Sequence, residues 1–321
     1  MKRRLDPDSL RALARGCAVL GAGGGGDPYL GLLQALQATE DFGPVALVDI
    51  DELPGESLIM PCGGIGAPTV SIEKIENGDE GGRLREHLEF VTGRRVTALM
   101  AAEIGGSNGL LPVAWAARMG LPLVDADGMG RAFPEVPQVT MHLAGISPSP
   151  AVMTDERGNL IVFQAISGHW IERLERAAAV EFGGAASSTE FSLTAAQART
   201  ATVRGSVSMA IRIGQAVTCA EGSPVAALIA EIGAFRLVTG SRPFPPPISP
   251  TMSAATFRPV CRSSCALSRS PSSPFSIFSR PTRGAPTPPH GMTSASSGSS
   301  STSISMAGPK SAVACRACSR A

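Results

Sequence analysis

The segment Asp125-Ala126-Asp127-Gly128-Met129-Gly130-Arg131-Ala132-Phe133-Pro134-Glu135 gathers the densest chemistry in the chain. If it is extended, Asp125 and Asp127 share one face, because side chains alternate along a strand. Two neighbouring carboxylates either bind a hard cation or push one pKa upward for general-base work. Arg131 offers a planar fork for a substrate carboxylate. The plainer alternative is a turn with aspartate caps. Glu103 ends an apolar run and is followed by Gly105-Gly106-Ser107-Asn108-Gly109; a carboxylate at such a place is hard to dismiss as packing. Asp125, Asp127 and Glu103 are therefore the catalytic candidates. Ser107 and Asn108 are candidates for substrate binding, with capping of the next helix as their other reading.

Glycine-rich stretches supply the complement. In Gly21-Ala22-Gly23-Gly24-Gly25-Gly26, backbone N–H groups free of side chains can approach an anion closely. Asp27-Pro28 then signals a helix start, whose dipole favours negative charge. Gly23, Gly24, Gly25 and Asp27 join the binding candidates on that ground. The stretch matches Gly-x-Gly-x-x-Gly only because nearly every position is glycine, and it lacks Gly-Lys-Ser/Thr; no nucleotide motif follows. In Cys62–Pro68, Gly63, Gly64 and Gly66 would let the backbone close over a ligand. Cys62 reads as a small buried residue in preference to a nucleophile. His142 is a weaker candidate beside the acidic loop. No His-x-x-x-His pair involves His142 or His169, so a histidine zinc site is not expected. A divalent cation at Asp125/Asp127 stays open.

These loops need a frame. Cys17–Leu20, Ser57–Met60, Val96–Ala102 and Leu121–Val124 read as strands that lead into the four loops, and Val45–Asp49 as one more. Helices are expected over Asp8–Arg15, from Asp27 to about Ala38, over Gly82–Thr92 with Leu84, Leu88 and Val91 on one face, and over Leu110–Met119. Such alternation predicts an α/β fold with a mostly parallel sheet and glycine-rich loops at strand carboxyl ends, where ligands bind in open sheets. Gln138–Leu143, Ala151–Thr154 and Leu160–Ala165 read as further strands, the last two joined by a hairpin turn at Asp155–Asn159. His169–Phe182 and Leu193–Val217 read as helices. Residues 1–228 form the α/β domain in this reading, and 229–240 begin a β-rich unit that is cut off.

Composition changes sharply at residue 241. Residues 241–321 hold nine of the 28 Lys and Arg and none of the 27 Asp and Glu, which leaves the body at 19 − 27 = −8. A body of that sign has no attraction for nucleic acid or anionic lipid. The tail, rich in Ser and Pro and without hydrophobic periodicity, is expected to be disordered. It starts inside a strand-like run, and that favours an out-of-frame translation. No apolar run in the body approaches the roughly 20 residues of a membrane span. Cys17, Cys62 and Cys219, widely spaced, suit free thiols in a reducing cytoplasm. A small-molecule substrate is expected, and a homo-oligomer is left open.

The four stretches together, Gly21–Tyr29, Gly63–Pro68, Glu103–Asn108 and Asp125–Glu135, resemble the S-methyl thiohydantoin desulfurase family. The resemblance runs from about Leu10 to Gly240, and the acidic segment is its most specific part. It implies an N-terminal α/β domain and a C-terminal β-rich domain, with only the start of the second, at about Ile229–Gly240, left here. It implies a hydrolase of hydantoin-like rings, in which water replaces an S-methyl group and methanethiol leaves. The family is linked with hydantoinases and oxoprolinases, so a non-catalytic binding or subunit partner of such an enzyme is the alternative.

Overall fold

The computed structural model describes residues 3–237 and Thr239. The proposed tail, 241–321, lies outside the described residues. Strand β1 (Arg3–Leu5) precedes two helices, each opened by an aspartate-proline pair. Asp6 accepts from the Ser9 amide at the start of α1 (Pro7–Gly21), and Asp27 from the Tyr29 amide at the start of α2 (Pro28–Phe42). Cys17–Leu20, expected as a strand, continues α1. The reason is periodicity: Leu10, Leu13 and Cys17 recur at helical spacing and are fully buried.

Next come β2 (Val45–Val48), β3 (Leu58–Gly66), the short α3 (Val70–Glu73), α4 (Glu80–Thr92), β4 (Val96–Ala101), α5 (Leu111–Met119) and β5 (Leu123–Asp127). Leu84 and Leu88 of α4 are buried as expected, whereas Val91 is exposed. Short α6 (Thr140–Leu143) takes the place of a strand expected over Gln138–Leu143. The hairpin of β6 (Ala151–Thr154) and β7 (Leu160–Phe163) follows, then α7 (Gly168–Glu181) and β8 (Ala185–Thr189). Asp155 builds the hairpin turn by accepting from the Arg157 and Asn159 amides. The long helix expected over Leu193–Val217 is divided into β9 (Leu193–Thr194), α8 (Ala195–Ala201), β10 (Val203–Arg204) and α9 (Ser206–Thr218). Gly205, at φ +71°, makes the left-handed turn between β10 and α9. Residues expected to begin a β unit at 229 belong to α10 (Pro224–Ile232), capped by the Ser223 hydroxyl.

The sheet runs β1-β2-β5-β4-β3-β8-β6-β7. Its central strands β2, β5, β4 and β3 are parallel, and antiparallel strands extend it on both sides. Apolar side chains fill both faces. Leu47, Met60, Leu99 and Leu123 face the layer of α1, α2, α4, α5 and α9. Val48, Ile59, Met100 and Val124 face α8 and the α6 region. A third cluster, with Ile65, Met153 and Phe163, lies under Ile171 and Ala178 of α7.

Helices α1 and α9 touch through glycine. A Cβ on Gly16 would lie 1.8 Å from the Ala210 carbonyl oxygen, and one on Gly214 1.8 Å from that of Ala12. Both obstacles are backbone, so the helices would have to move apart. Gly214→Ala should cost about 2 kcal/mol or more, in the range of core overpacking. Urea denaturation of the purified chain checks this, and an unchanged midpoint would refute the close approach.

Candidate functional site

One cavity of about 920 Å³ opens beside the carboxyl ends of β3 and β4, within the size range of small-molecule sites. Gly24, Gly25, Asp27, Gly63, Gly64, Gly66, Glu103, Ser107, Asn108 and Arg131 all line it, as does Gly26 of the same glycine run. Gly23 lies at a shallow neighbouring recess. Asp125 and Asp127 do not line the cavity, and neither do Cys62 and His142.

Asp127 is fully buried, and its Oδ2 accepts from the amides of Ile104, Met129 and Gly130 at 2.9, 3.1 and 2.7 Å. Burial raises its pKa to about 6, while the amides pull the other way. It ties the end of β5 to the end of β4. Asp125 faces the same side, as expected, but serves α9. Its carboxylate accepts from the Ser208 amide at 2.9 Å and from the Ser208 hydroxyl. The two aspartates are thus turned to different donors. Among the described residues no group of three or more His, Cys, Asp or Glu is gathered for a metal.

The Gly63–Gly66 stretch is strand, not loop. It pairs antiparallel with β8, so β3 leaves its parallel partner β4 and continues beside a new one. Asn108, half of a loop pair at the start of α5, holds it. The Asn108 Oδ1 accepts from the Gly64 amide at 2.7 Å, and its Nδ2 donates to the Gly64 carbonyl at 3.2 Å. The same Nδ2 donates to Glu103 Oε1 at 2.6 Å, and the Phe133 amide donates to Oε2 at 2.9 Å. Glu103 is only 7% exposed, and burial moves its pKa up against those two donors.

The glycine loop is held by backbone. Gly25 has φ +74°, and a Cβ there would meet the Gly105 carbonyl oxygen at 2.1 Å. The Ser107 and Asn108 amides donate to the Gly26 and Gly25 carbonyls, both at 3.3 Å. The N–H groups of Gly25 and Gly26 make no hydrogen bond to a described residue and remain available. Arg131 lies exposed at the mouth, its guanidinium 4.4 Å from the Phe133 ring centroid. Cys62 is a buried thiol whose pKa burial pushes up; its Sγ lies 3.7 Å from the Met100 carbonyl. His142 stacks edge-on against His169 and Phe191.

Sequence reasoning missed the far wall. Glu76, Ser187, Ser188 and Glu190 line it, together with the Glu172–Arg176 ion pair. Ser187 donates to Glu76 Oε1 at 2.8 Å. Burial, with the charge of Glu80 behind it, lifts Glu76 to about 7. Lys74 is spent on Glu156 at 2.9 Å, the Ala185 carbonyl at 2.6 Å and the Phe182 carbonyl. The signal in the sequence was faint: Glu190 ends a run of small residues, where Glu103 ends an apolar one.

Family comparison agrees with this architecture. The S-Me-THD-like N-terminal domain matches residues 8–165, and the S-Me-THD-like C-terminal domain matches 166–241. The chain belongs to the S-Me-THD-like family. The second segment begins at α7, well before the expected division at 228/229, and its strand β8 pairs with β3 of the first. A crystal structure of a protein from Chromobacterium violaceum is similar, with 26% identity and a TM-score of 0.62 over 71% of this chain. The chain spans 65% of that protein's length. No curated protein matches. No described helix is long and apolar enough to cross a membrane.

Two outcomes follow. Asp125→Ala strips the Ser208 amide of a charged acceptor and should cost about 1–3 kcal/mol, whereas Arg131→Ala at the exposed mouth should stay within about 0.5 kcal/mol. Equal melting temperatures for the two variants would show that Asp125 does not hold α9. Glu76 is raised from 4.5 to about 7, so the folded state binds its proton more tightly. Its contribution to stability is therefore present at low pH and lost as pH rises through that window. Glu76→Gln, which keeps an acceptor for Ser187, should gain on the wild type in melting temperature across the same window; a constant difference would show an ordinary carboxylate.

Proposed function

We propose that the protein is a cytoplasmic hydrolase of hydantoin-like cyclic amides, of the type in which water replaces the S-methyl group of a thiohydantoin. Glu103 is the observation that supports this most. It is a buried carboxylate on the cavity wall, and both of its oxygens accept hydrogen bonds from groups that cannot take a proton from it. Such donors favour the ionised form, the form a general base needs. The base assignment therefore falls on Glu103, with Asp125 and Asp127 as positioning groups for α9 and for the loop after β5.

Water activated by Glu103 attacks the ring carbon that bears sulfur. The free N–H groups of Gly25 and Gly26 meet the negative charge that develops, as oxyanion-hole donors do. Asn108 fixes Glu103 and Gly64 in one arrangement, and Ser107, Asp27, Gly24, Gly63 and Gly66 shape the pocket around the ring. Arg131 takes a carboxylate on the substrate's side chain at the mouth. Acidic side chains outnumber basic ones on the lining, nine (Asp27, Glu76, Glu80, Glu103, Glu135, Asp155, Glu156, Glu172, Glu190) to three (Lys74, Arg131, Arg176). That balance suits a neutral ring with N–H donors and disfavours phosphate.

Binding without turnover is the second reading. It is favoured by the 65% coverage of the similar crystal structure, which leaves part of that protein without a counterpart here. Methanethiol release from an S-methyl thiohydantoin separates the two. The hydrolase reading expects release by the full chain and a loss of at least tenfold in kcat for Glu103→Gln, or about 1.4 kcal/mol of transition-state stabilisation. Calorimetric binding of the product hydantoin with no thiol released would support the binding reading and overturn the hydrolase.

A further inference from the structure

Behind the far wall, Glu175 of α7 meets Glu190 at the end of β8. Glu175 is fully buried and Glu190 is 6% exposed, its remaining surface on the cavity. Among the described residues neither oxygen of Glu175, nor Oε1 of Glu190, finds a hydrogen-bond donor. The nearby cation is already committed: Arg176 donates from Nε to Glu172 at 2.7 Å and from its terminal nitrogen to the Pro134 carbonyl at 2.7 Å. Glu172 takes a second donor in the Val136 amide at 2.9 Å. Phe191 closes the other side in a left-handed conformation, φ +51°, stacked on His142. From β3 the only titratable neighbour is the Cys62 thiol, itself pushed up by burial and by the Glu190 charge.

Ser188 and backbone reach Glu190, but three of the pair's four oxygens have no donor, and the cost of an unpaired buried charge is far greater than the cost of keeping one proton. A single proton between them supplies the missing donor. Both carboxyls are accordingly displaced upward, first by burial and, for Glu175, next by the charge of Glu190. Glu103 differs: burial raises it too, but each of its oxygens has a donor that works against the shift. A carboxyl whose donors favour the ionised form, beside a pair whose missing donors favour a proton, can serve as base and acid.

We propose that Glu175 and Glu190 share one proton, and that Glu190 hands it to the departing group of the ligand. The shared proton rests on the burial of both carboxyls, on their unpaired oxygens and on their mutual influence; the identity of the departing group rests on the hydrolase reading. The step balances as follows. The water proton passes to Glu103 as the new C–O bond forms, and the C–S bond then breaks with its electron pair on sulfur. That sulfur takes the proton of the pair and leaves as methanethiol. Solvent in the cavity returns a proton to Glu190 as it gives up its own, so the pair keeps a single negative charge, and Glu103 releases its proton to solvent through the cavity mouth. Glu175 never touches substrate in this scheme; it is a positioning residue that keeps the proton on the pair.

Two measurements test the proposal. In infrared difference spectra at neutral pH, wild type minus Glu175→Gln/Glu190→Gln, the carbonyl stretch of a protonated carboxyl should appear and shift in D2O. Its absence overturns the shared proton, whether or not the protein turns anything over. The second measurement compares S-methyl and S-nitrophenyl thiohydantoins. Glu190→Gln should lower kcat/KM at least tenfold for the methylthio substrate. It should lower it less than about threefold for the arylthio one, whose thiolate leaves unaided. Equal losses for both overturn the acid role. Turnover of neither substrate by wild type refutes the hydrolase reading and with it the departing sulfur, while the infrared band still decides the shared proton.

Discussion

Backbone packed on backbone at Gly25, Gly105 and Gly106 is the contact on which the cavity depends. Gly106 at φ +66° has the Gly25 carbonyl carbon 2.4 Å from where its Cβ would be, and Gly105 has the Ala132 nitrogen at 2.5 Å. Three loops thereby meet without side chains between them: the turn before α2, the end of β4 and the end of β5. Asp127 fastens the third to the second through the Ile104 amide. The glycine run is therefore as much a joint as a cradle. Four consecutive glycines are costly to order, and the joint explains Gly25 directly, while Gly23 has open space around it.

Polar satisfaction divides the carboxylates of this region by task. Asp127 has three amide donors and no access to the cavity, so it is a fastener. Glu103 has two donors and a face on the cavity. Glu175 and Glu190 have next to none, and Glu190 reaches the cavity. Donor count and exposure, not the mere presence of acid, separate these roles. The aspartate pair, the densest acidic motif in the sequence, lies outside the cavity for a plain reason: its spacing places both side chains on one face, and that face is the helix layer.

Much of the frame was legible. Asp27-Pro28 fixed a helix start, Val96–Ala102 a buried strand, Asp155–Asn159 a hairpin, and each is observed. The errors share a cause, which is local reading of residues whose fate is settled at long range. Pro61, Gly63, Gly64 and Gly66 read as a loop because propensity disfavours them in strands, yet β8 and Asn108 hold them extended. Cys17–Leu20 read as a strand because the helical repeat was broken off at Arg15. Glu175 was open to discovery, since it falls on the buried face of α7 with Ile171 and Ala178. Its partner Glu190 required β8, and the small residues Ala185–Thr189 offer little hydrophobic signal for a strand.

Strand β3 carries a consequence for how anything enters the cavity. It is one uninterrupted ribbon, its first half paired with β4 in parallel and with β9 antiparallel, its second half antiparallel to β8, and the cavity lies where the pairing with β4 ends. Many enzymes admit substrate by swinging two lobes about a flexible joint. Here the two family segments are laced into a single sheet through β3 and β8, so a swing would tear hydrogen bonds from the ladder. Traffic is left to the peripheral pieces that border the opening: α3 with its exposed Ile72, the Ile75 turn, and the Arg131–Glu135 rim. The frame around the cavity can then stay rigid while the doorway moves.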